Sequence, residues 1–276
     1  MFLVDCGGCT CMERTTKVRP KKFLGQHFLH DQSIARRIVG SLVVTEETKS
    51  VLEIGPGMGV LTKFLLELKG ISLKVIEIDR DSVSYLKTHY PALDVIEGDF
   101  LEADIPTIFS DKFAIIGNFP YNISSQIFFR VLENRNAVQQ VVCMLQKEVA
   151  DRIAANSGNK TYGILSVLLQ AYFDIDNLFK VAPGVFTPPP KVLSAVIRLR
   201  RNKVVSLPCD EKLFVQVVKQ AFNTRRKTLR NALKNLNLAA EISALQIMDK
   251  RAEQLSVDEF VNLTLLIDRS RGAAIG

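Results

Sequence analysis

Apolar residues recur along the chain in two rhythms. From Asp31 to Val39 they return at helical spacing, with Ile34, Ile38 and Val39 on one face and Asp31 placed to cap the first turn. Short apolar runs follow at Val51–Ile54, Leu73–Ile76, Asp94–Ile96, Phe113–Ile116 and Val141–Met144, separated by helix-like stretches. Strand and helix alternating in this way predict a parallel sheet wrapped by helices. Gly163 to Phe173 reads as an apolar helix and Val192 to Leu199 as a late alternating strand. Between Arg200 and Pro208 the pattern turns basic and loses its strand character. Beyond it the period is helical, over Glu211–Phe222, Arg225–Leu236 and Val257–Ile267. The expected organisation is a basic, cysteine-containing tail over residues 1–22, an α/β domain over 23–205 and a small all-helical domain over 206–276. No internal repeat or low-complexity segment interrupts it.

Composition narrows the class. The 276 residues are 47% hydrophobic, yet no apolar run is long enough to cross a bilayer, as in a soluble globular chain of one large and one small domain. Lys and Arg number 36 against 29 Asp and Glu, a formal net charge of +7. The excess is localised at Lys17, Arg19, Lys21 and Lys22, at Arg198, Arg200, Arg201 and Lys203, and most densely at Arg225, Arg226, Lys227, Arg230 and Lys234. A solvated face explains one such run; three favour a nucleic-acid surface. The start of the chain, Met1–Val4 followed by Asp5, has neither a basic leader nor an apolar stretch of signal-peptide length, which predicts a cytoplasmic location. Five cysteines, an odd number with Cys143 and Cys209 isolated, fit reduced thiols. Cys6, Cys9 and Cys11 lie close together but make an incomplete tetrahedral set, so no metal site is expected.

The first strand runs into Glu53-Ile54-Gly55-Pro56-Gly57-Met58-Gly59-Val60, a glycine-rich turn opening a helix, where Gly55 and Gly57 let the backbone approach a ligand. A dinucleotide fingerprint wants its third glycine at position 60, which is Val60, so a pyrophosphate cradle is disfavoured. The second strand ends in Glu77-Ile78-Asp79 and the third in Glu97-Gly98-Asp99-Phe100. Glu77 suits a pair of ribose hydroxyls, Asp79 or Asp81 being available to cap the next helix, and Asp99 can accept from an adenine amino group. Ribose and adenine recognition without a phosphate cradle points to S-adenosylmethionine.

The fourth strand ends in Gly117-Asn118-Phe119-Pro120-Tyr121, polar and aromatic where apolar strand gives way to solvent. An adenine amino nitrogen is a poor nucleophile, its lone pair delocalised into the ring. The Asn118 side-chain oxygen and the Pro120 carbonyl can accept its two hydrogens and draw the lone pair out of conjugation. Tyr121 can stack on the base for about 1–3 kcal/mol, offsetting much of the few kcal/mol that flipping a base costs. An ordinary turn with a core tyrosine would explain Pro120 but not Asn118. Phe186, followed by Thr187 and three prolines, is a second candidate platform, and a hydrophobic anchor for its loop is almost as good an explanation.

These motifs together resemble the ribosomal RNA adenine dimethylases. The resemblance rests on Phe23–Leu29, the glycine turn, Glu77–Asp79, Gly98-Asp99, Asn118–Tyr121, Phe186–Val192 and the basic segment Phe222–Arg230, in that order. It implies a Rossmann-like methyltransferase domain carrying a helical RNA-binding domain. It places His27 and Leu29 against the cofactor, Gly55 at its methionine end, Glu77 on its ribose, Asp99 on its adenine and Asn118 between cofactor and substrate. It also implies that Phe186 stacks on the flipped adenine opposite Tyr121, that Arg225, Arg226, Lys227 and Arg230 hold RNA, and that two adjacent adenines of small-subunit rRNA are dimethylated within a pre-ribosomal particle by an enzyme monomeric when free. Position 27 is His where the family commonly has Asn, and position 119 Phe where it has Leu. Three alternatives are a large-subunit rRNA adenine methyltransferase, a non-catalytic RNA-binding assembly factor on the same fold and, more distantly, a nicotinamide enzyme.

Overall fold

A computed structural model of the chain describes residues 18–224 and 226–273. It begins with a strap that leads into strand β1 (Phe28–Leu29) and helix α1 (Gln32–Val39). Asp31 caps α1, its carboxylate accepting from the Ser33 and Ile34 amides at 2.8 and 3.0 Å. The alternating region then gives β2 (Ser50–Ile54), α2 (Thr62–Leu65), β3 (Ser72–Glu77), α3 (Arg80–His89), β4 (Asp94–Glu97), α4 (Ile105–Ile108), β5 (Phe113–Asn118), α5 (Ser124–Glu133) and β6 (Val138–Gln146). All five predicted strands are present. The chain continues through α6 (Lys147–Ile153), α7 (Ile164–Gln170), β7 (Phe173–Val181), β8 (Phe186–Thr187) and β9 (Ser194–Arg201). Helices α8 (Glu211–Asn223), α9 (Leu229–Ala232), α10 (Ala240–Ser243) and α11 (Val257–Ala273) close it.

Seven strands form one sheet in the order β4-β3-β2-β5-β6-β9-β7. The first five are mutually parallel, whereas β9 runs antiparallel to both β6 and β7. The sheet is therefore mixed, not parallel throughout as the alternation predicts. The added strand, β7, is an edge: only its ends, Phe173 and Val181, are buried, and Asp174, Asp176 and Asn177 interrupt its apolar period. An edge strand solvated on one side carries little apolar signal.

Strand residues alternate between two apolar clusters. Leu52, Ile54, Phe113 and Ile115 face one, with Phe128 and Leu168 from α5 and α7; Val51, Ala114 and Ile116 face the other, with Ile38 and Leu65 from α1 and α2. Burial on both faces explains why these strands read as continuous apolar runs. Leu213, Phe214 and Phe260 of the C-terminal helices lie in the same cluster as Phe113 and Phe128.

The helix predicted over Arg225–Leu236 is not continuous. Helical geometry is confined to the single turn of α9 and a 3-10 turn at Lys234–Leu236. Thr228 is extended and bridges Arg251, and the Leu229 amide donates to the Lys250 carbonyl at 2.8 Å. Leu229, Leu233 and Leu236 keep helical spacing and are buried, but that backbone pairing holds the start of the segment out of the helix. No helix among the described residues is long and apolar enough to cross a membrane. Cys6, Cys9, Cys11, Lys17 and Arg225 lie outside the described residues.

Candidate active site

The strand order reverses at β2, which has β3 on one side and β5 on the other, and open α/β sheets bind ligands at the carboxyl ends beside such a point. A cleft of about 920 Å³, partly open to solvent, lies there. Its walls come from the strap (24–28), the glycine turn, the ends of β3 and β4, and residues 118–123 after β5. His27, Gly55, Gly57, Glu77, Asp99, Asn118, Pro120 and Tyr121 all line it.

Glu77, 4% exposed, lies at one end of the cleft. One carboxylate oxygen accepts from the Gly57 amide and the other from the Asp79 amide, both at 2.9 Å. Burial pushes its carboxyl above the ordinary range while these two amides oppose the shift. A carboxylate has about four lone-pair sites, so the two amides leave acceptor capacity towards the cleft. The Gly55 and Gly59 amides donate to the carbonyls of Ile76 and Pro56 at 3.0 and 2.9 Å. With Gly57 turned to Glu77, all three glycine amides are satisfied internally and a buried carboxylate sits behind them. None of these three glycine amides is left to meet a pyrophosphate.

Backbone conformation explains two glycines. At Gly57 (φ +56°) a Cβ would stand 2.9 Å from the Phe28 ring, so the strap packs on the turn only because no side chain is there. At Gly55 (φ +65°) a Cβ would meet no protein atom within 4 Å and would project into the cleft's own space.

The helix cap after β3 is Asp79, which accepts from the Asp81 amide at 3.1 Å, and Glu77 is thereby spared for the cleft. Asp79 also ties down the strap. Lys21 Nζ reaches it at 2.5 Å and Asp81 at 2.8 Å, and Gln26 Nε2 donates to it at 3.0 Å. Burial alone would raise the Asp79 carboxyl, but Lys21 and Gln26 hold it below its ordinary value. Sequence reasoning placed Lys21 in a basic run and Gln26 in the Phe23–Leu29 motif but gave neither a contact, because nothing local points to a partner 58 or 53 residues away. Asp99 spends one oxygen on the Leu101 amide at 2.8 Å; no described residue engages the other.

At the far end of the cleft Asn118 finishes β5. Its Nδ2 donates to the His27 main-chain carbonyl at 2.9 Å, so Oδ1 is the atom left to accept, and no described group donates to it. The Pro120 carbonyl accepts a long 3.3 Å bond from the Ile123 amide and keeps a second lone pair. Phe119 is buried edge-to-face against Phe128, their centroids 5.9 Å apart, which pins the turn to the core. Tyr121 meets Ser194 through its hydroxyl at 2.5 Å, and burial raises its phenol above the usual value.

Other candidates are placed elsewhere. Leu29 is buried and lines an adjoining recess with Glu53, Gly55 and Asn118. Phe186 is 2% exposed, belongs to the core cluster with Leu29 and Ile38, and does not line the cleft. Arg226 and Lys227 are exposed away from the cleft. Arg230 is engaged within its own region, by Asp249 at 2.7 and 3.1 Å and by the Ser243 carbonyl. Glu53, next to the glycine turn, carried no expectation. It is fully buried, accepts from Thr62 Oγ1 at 2.6 Å, and burial pushes its carboxyl up to about 8.

A Rossmann-like sheet with a buried acid at the end of β3, glycine amides turned inward after β2 and an Asn–aromatic–Pro–Tyr turn after β5 defines an S-adenosylmethionine-dependent methyltransferase. The match to the family described as ribosomal RNA adenine dimethylase spans residues 17–269, and the chain belongs to that family. Ribosomal RNA small subunit methyltransferase A of Cytophaga hutchinsonii is 60% identical over 91% of this chain and 98% of its own length. The protein of the same name from Flavobacterium johnsoniae is 56% identical over 91% and 97%. Among solved structures, a dimethyladenosine transferase from Plasmodium falciparum superposes with a TM-score of 0.75 at 27% identity, covering 89% of this chain and 98% of that one. The 23S rRNA methyltransferase ErmE gives 0.61 at 25% identity, covering 86% and 99%. The cleft fits the cofactor on its own terms, through the open space at Gly55 and the unspent acceptors of Glu77 and Asp99.

Proposed function

We propose that the protein converts two adjacent adenines, in a hairpin near the 3′ end of small-subunit rRNA, to dimethyladenosines while the subunit is being assembled in the cytoplasm, acting as a monomer. The names and identity levels of the curated relatives support the subunit. The chemistry is carried by one observation: Asn118 spends its amide nitrogen on the His27 carbonyl and leaves Oδ1 as an acceptor in the cleft.

S-adenosylmethionine supplies the methyl group: the N6 lone pair forms the N–C bond, the C–S pair returns to sulfur, and one N6 proton passes to water. In this reading Glu77 accepts the ribose hydroxyls, Asp99 accepts from the adenine amino group of the cofactor, and the Gly55–Gly57 turn with His27 and Leu29 of the strap encloses the methionine end. Asn118 Oδ1 and the Pro120 carbonyl accept the two hydrogens of the target amino group, which localises its lone pair and favours the positive charge that develops there. No strong base is required, because the methylated nitrogen loses its proton readily. Tyr121 offers its ring to the extruded base, a contact worth about 1–3 kcal/mol, while Phe186 supports the loop from the core side. Arg225, Arg226, Lys227 and Arg230, in a helical RNA-binding unit over 206–276, hold the rRNA. Arg226 and Lys227 are free to meet phosphates, and Arg230 shapes the surface through Asp249.

Isolated small and large subunits from a strain lacking the modification, incubated with enzyme and methyl-labelled cofactor, test the proposal. Label is expected on small subunits; label confined to large subunits overturns it.

A further inference from the structure

Tyr121 is gripped by residues far away in the chain. Ser194 holds its hydroxyl, and the His27 imidazole lies against its face, with centroids 5.3 Å apart and planes inclined by 29°. His27 is tethered twice. Its main-chain carbonyl accepts from Asn118 Nδ2 at 2.9 Å, and its ring Nδ1 donates to the Pro188 carbonyl at 2.7 Å. The residues that follow extend the link, Phe28 pairing with Thr187 and Leu29 with Phe186 in the β1–β8 ladder. One side chain thus joins the strap, the reaction turn and the proline-rich loop. The aromatic neighbour of Tyr121 in the cleft is this imidazole; Phe186 is turned into the core.

We infer that His27 is a positioning residue for the acceptor adenine, fixing the tilt of Tyr121 and the separation of Tyr121 from the Pro188 loop, and hence the slot in which the base seats. It acts through Tyr121 and Asn118 and does not touch the reacting atoms. The inference rests on reading Asn118–Tyr121 as the methyl-acceptor site.

The two transfers differ in their dependence on that slot. An unmodified adenine presents two N6 hydrogens to Asn118 Oδ1 and the Pro120 carbonyl. After one transfer, in which N6 gains the methyl and gives one proton to water, a single hydrogen remains. Only one of the two acceptor bonds then orients the nitrogen, and the walls of the slot must do more. A looser slot therefore penalises the second methylation more than the first.

The test compares wild type, His27→Ala and His27→Phe on small subunits, with mass spectrometry of the nucleosides and calorimetric cofactor affinity in parallel. His27→Ala is expected to lower the ratio of dimethyl- to monomethyladenosine, measured at saturating cofactor, by about two- to tenfold, the range an aromatic pair supports. His27→Phe retains a ring on Tyr121 and should recover most of the ratio. An unchanged ratio in His27→Ala overturns the inference. So does weakened cofactor binding at a wild-type ratio, which assigns His27 to the cofactor wall alone. Where the alanine variant does not fold, His27→Leu carries the test: it fills similar space with neither a ring for Tyr121 nor a donor for Pro188, so the same fall is expected and a wild-type ratio overturns the claim. Wild type that yields no methylated adenine at all defeats the acceptor-site reading itself, separately from His27.

Discussion

At the cofactor end of the cleft Glu77 is held by short-range contacts, to Gly57, 20 residues away, and to Asp79, two away. At the acceptor end Asn118 is held by His27 across 91 residues, Tyr121 by Ser194 across 73, and His27 by Pro188 across 161. Glu77 is thus set by the parallel strands themselves, and the strap closes on that end through Lys21 and Gln26 at Asp79. The acceptor end exists only once the strap and the proline-rich loop have docked. Damage to the first should appear in cofactor affinity and stability, and damage to the second in turnover.

The sharpest contrast is between two single substitutions. Asn118→Ala removes the acceptor oxygen and releases the His27 carbonyl, and should lower kcat by about 10²–10³-fold, as loss of one preorganised transition-state contact does. Its cofactor Kd, read by calorimetry, should change less than about fivefold. Glu77→Ala should do the reverse, raising the cofactor Kd by about 10–100-fold, since hydrogen bonds to a charged group contribute about 1.5–3 kcal/mol. It also orphans two amides, so its melting temperature should fall. An Asn118→Ala enzyme with wild-type turnover would erase the distinction.

A smaller effect concerns the proposed RNA surface, which neither end of the cleft supplies. Arg226→Gln with Lys227→Gln should lower the slope of log affinity against log salt by about one per lost phosphate contact. Turnover at saturating RNA should stay near wild type. The same slope in the double variant would remove these residues from the interface.

The smallest expected effect separates burial from function at the cofactor end. Glu53, held near 8 in the folded chain against an ordinary 4.5, keeps its proton where the unfolded chain has lost it. Its contribution to stability is complete below about pH 4.5, declines as the pH rises towards 8, and is constant above that. Glu53→Gln can still accept from Thr62 and carries no charge, so its melting temperature should gain on wild type between pH 5 and 8. A difference independent of pH would contradict this.

Legibility in the sequence follows the same divide. Strand ends and the residues immediately after them were readable, because apolar runs mark the strands and Glu77, Asp99 and Asn118 stand where those runs stop. The Asp31 cap was readable for the same local reason, and the cap after β3 was narrowed to Asp79 or Asp81, of which the structure uses Asp79. What could not be read was long-range or weakly apolar: the edge strand β7, the break at Thr228 made by pairing with Arg251, and the tethering of Tyr121 by His27 and Ser194. Phe186 shows the limit most plainly. Its motif singles it out, but whether its ring meets the cleft or the core is decided by the register of β1 against β8, and no local pattern encodes that.

The central claim is that Asn118 presents an adenine amino nitrogen for two successive methyl transfers. Its most direct test is mass spectrometry of rRNA nucleosides after incubation of undermethylated small subunits with S-adenosylmethionine and either wild type or Asn118→Ala. Dimethyladenosine at two adjacent adenines with wild type, and neither methylated form with the variant, is the predicted result. Monomethyladenosine as the sole wild-type product, or dimethyladenosine formed by the variant, would contradict it.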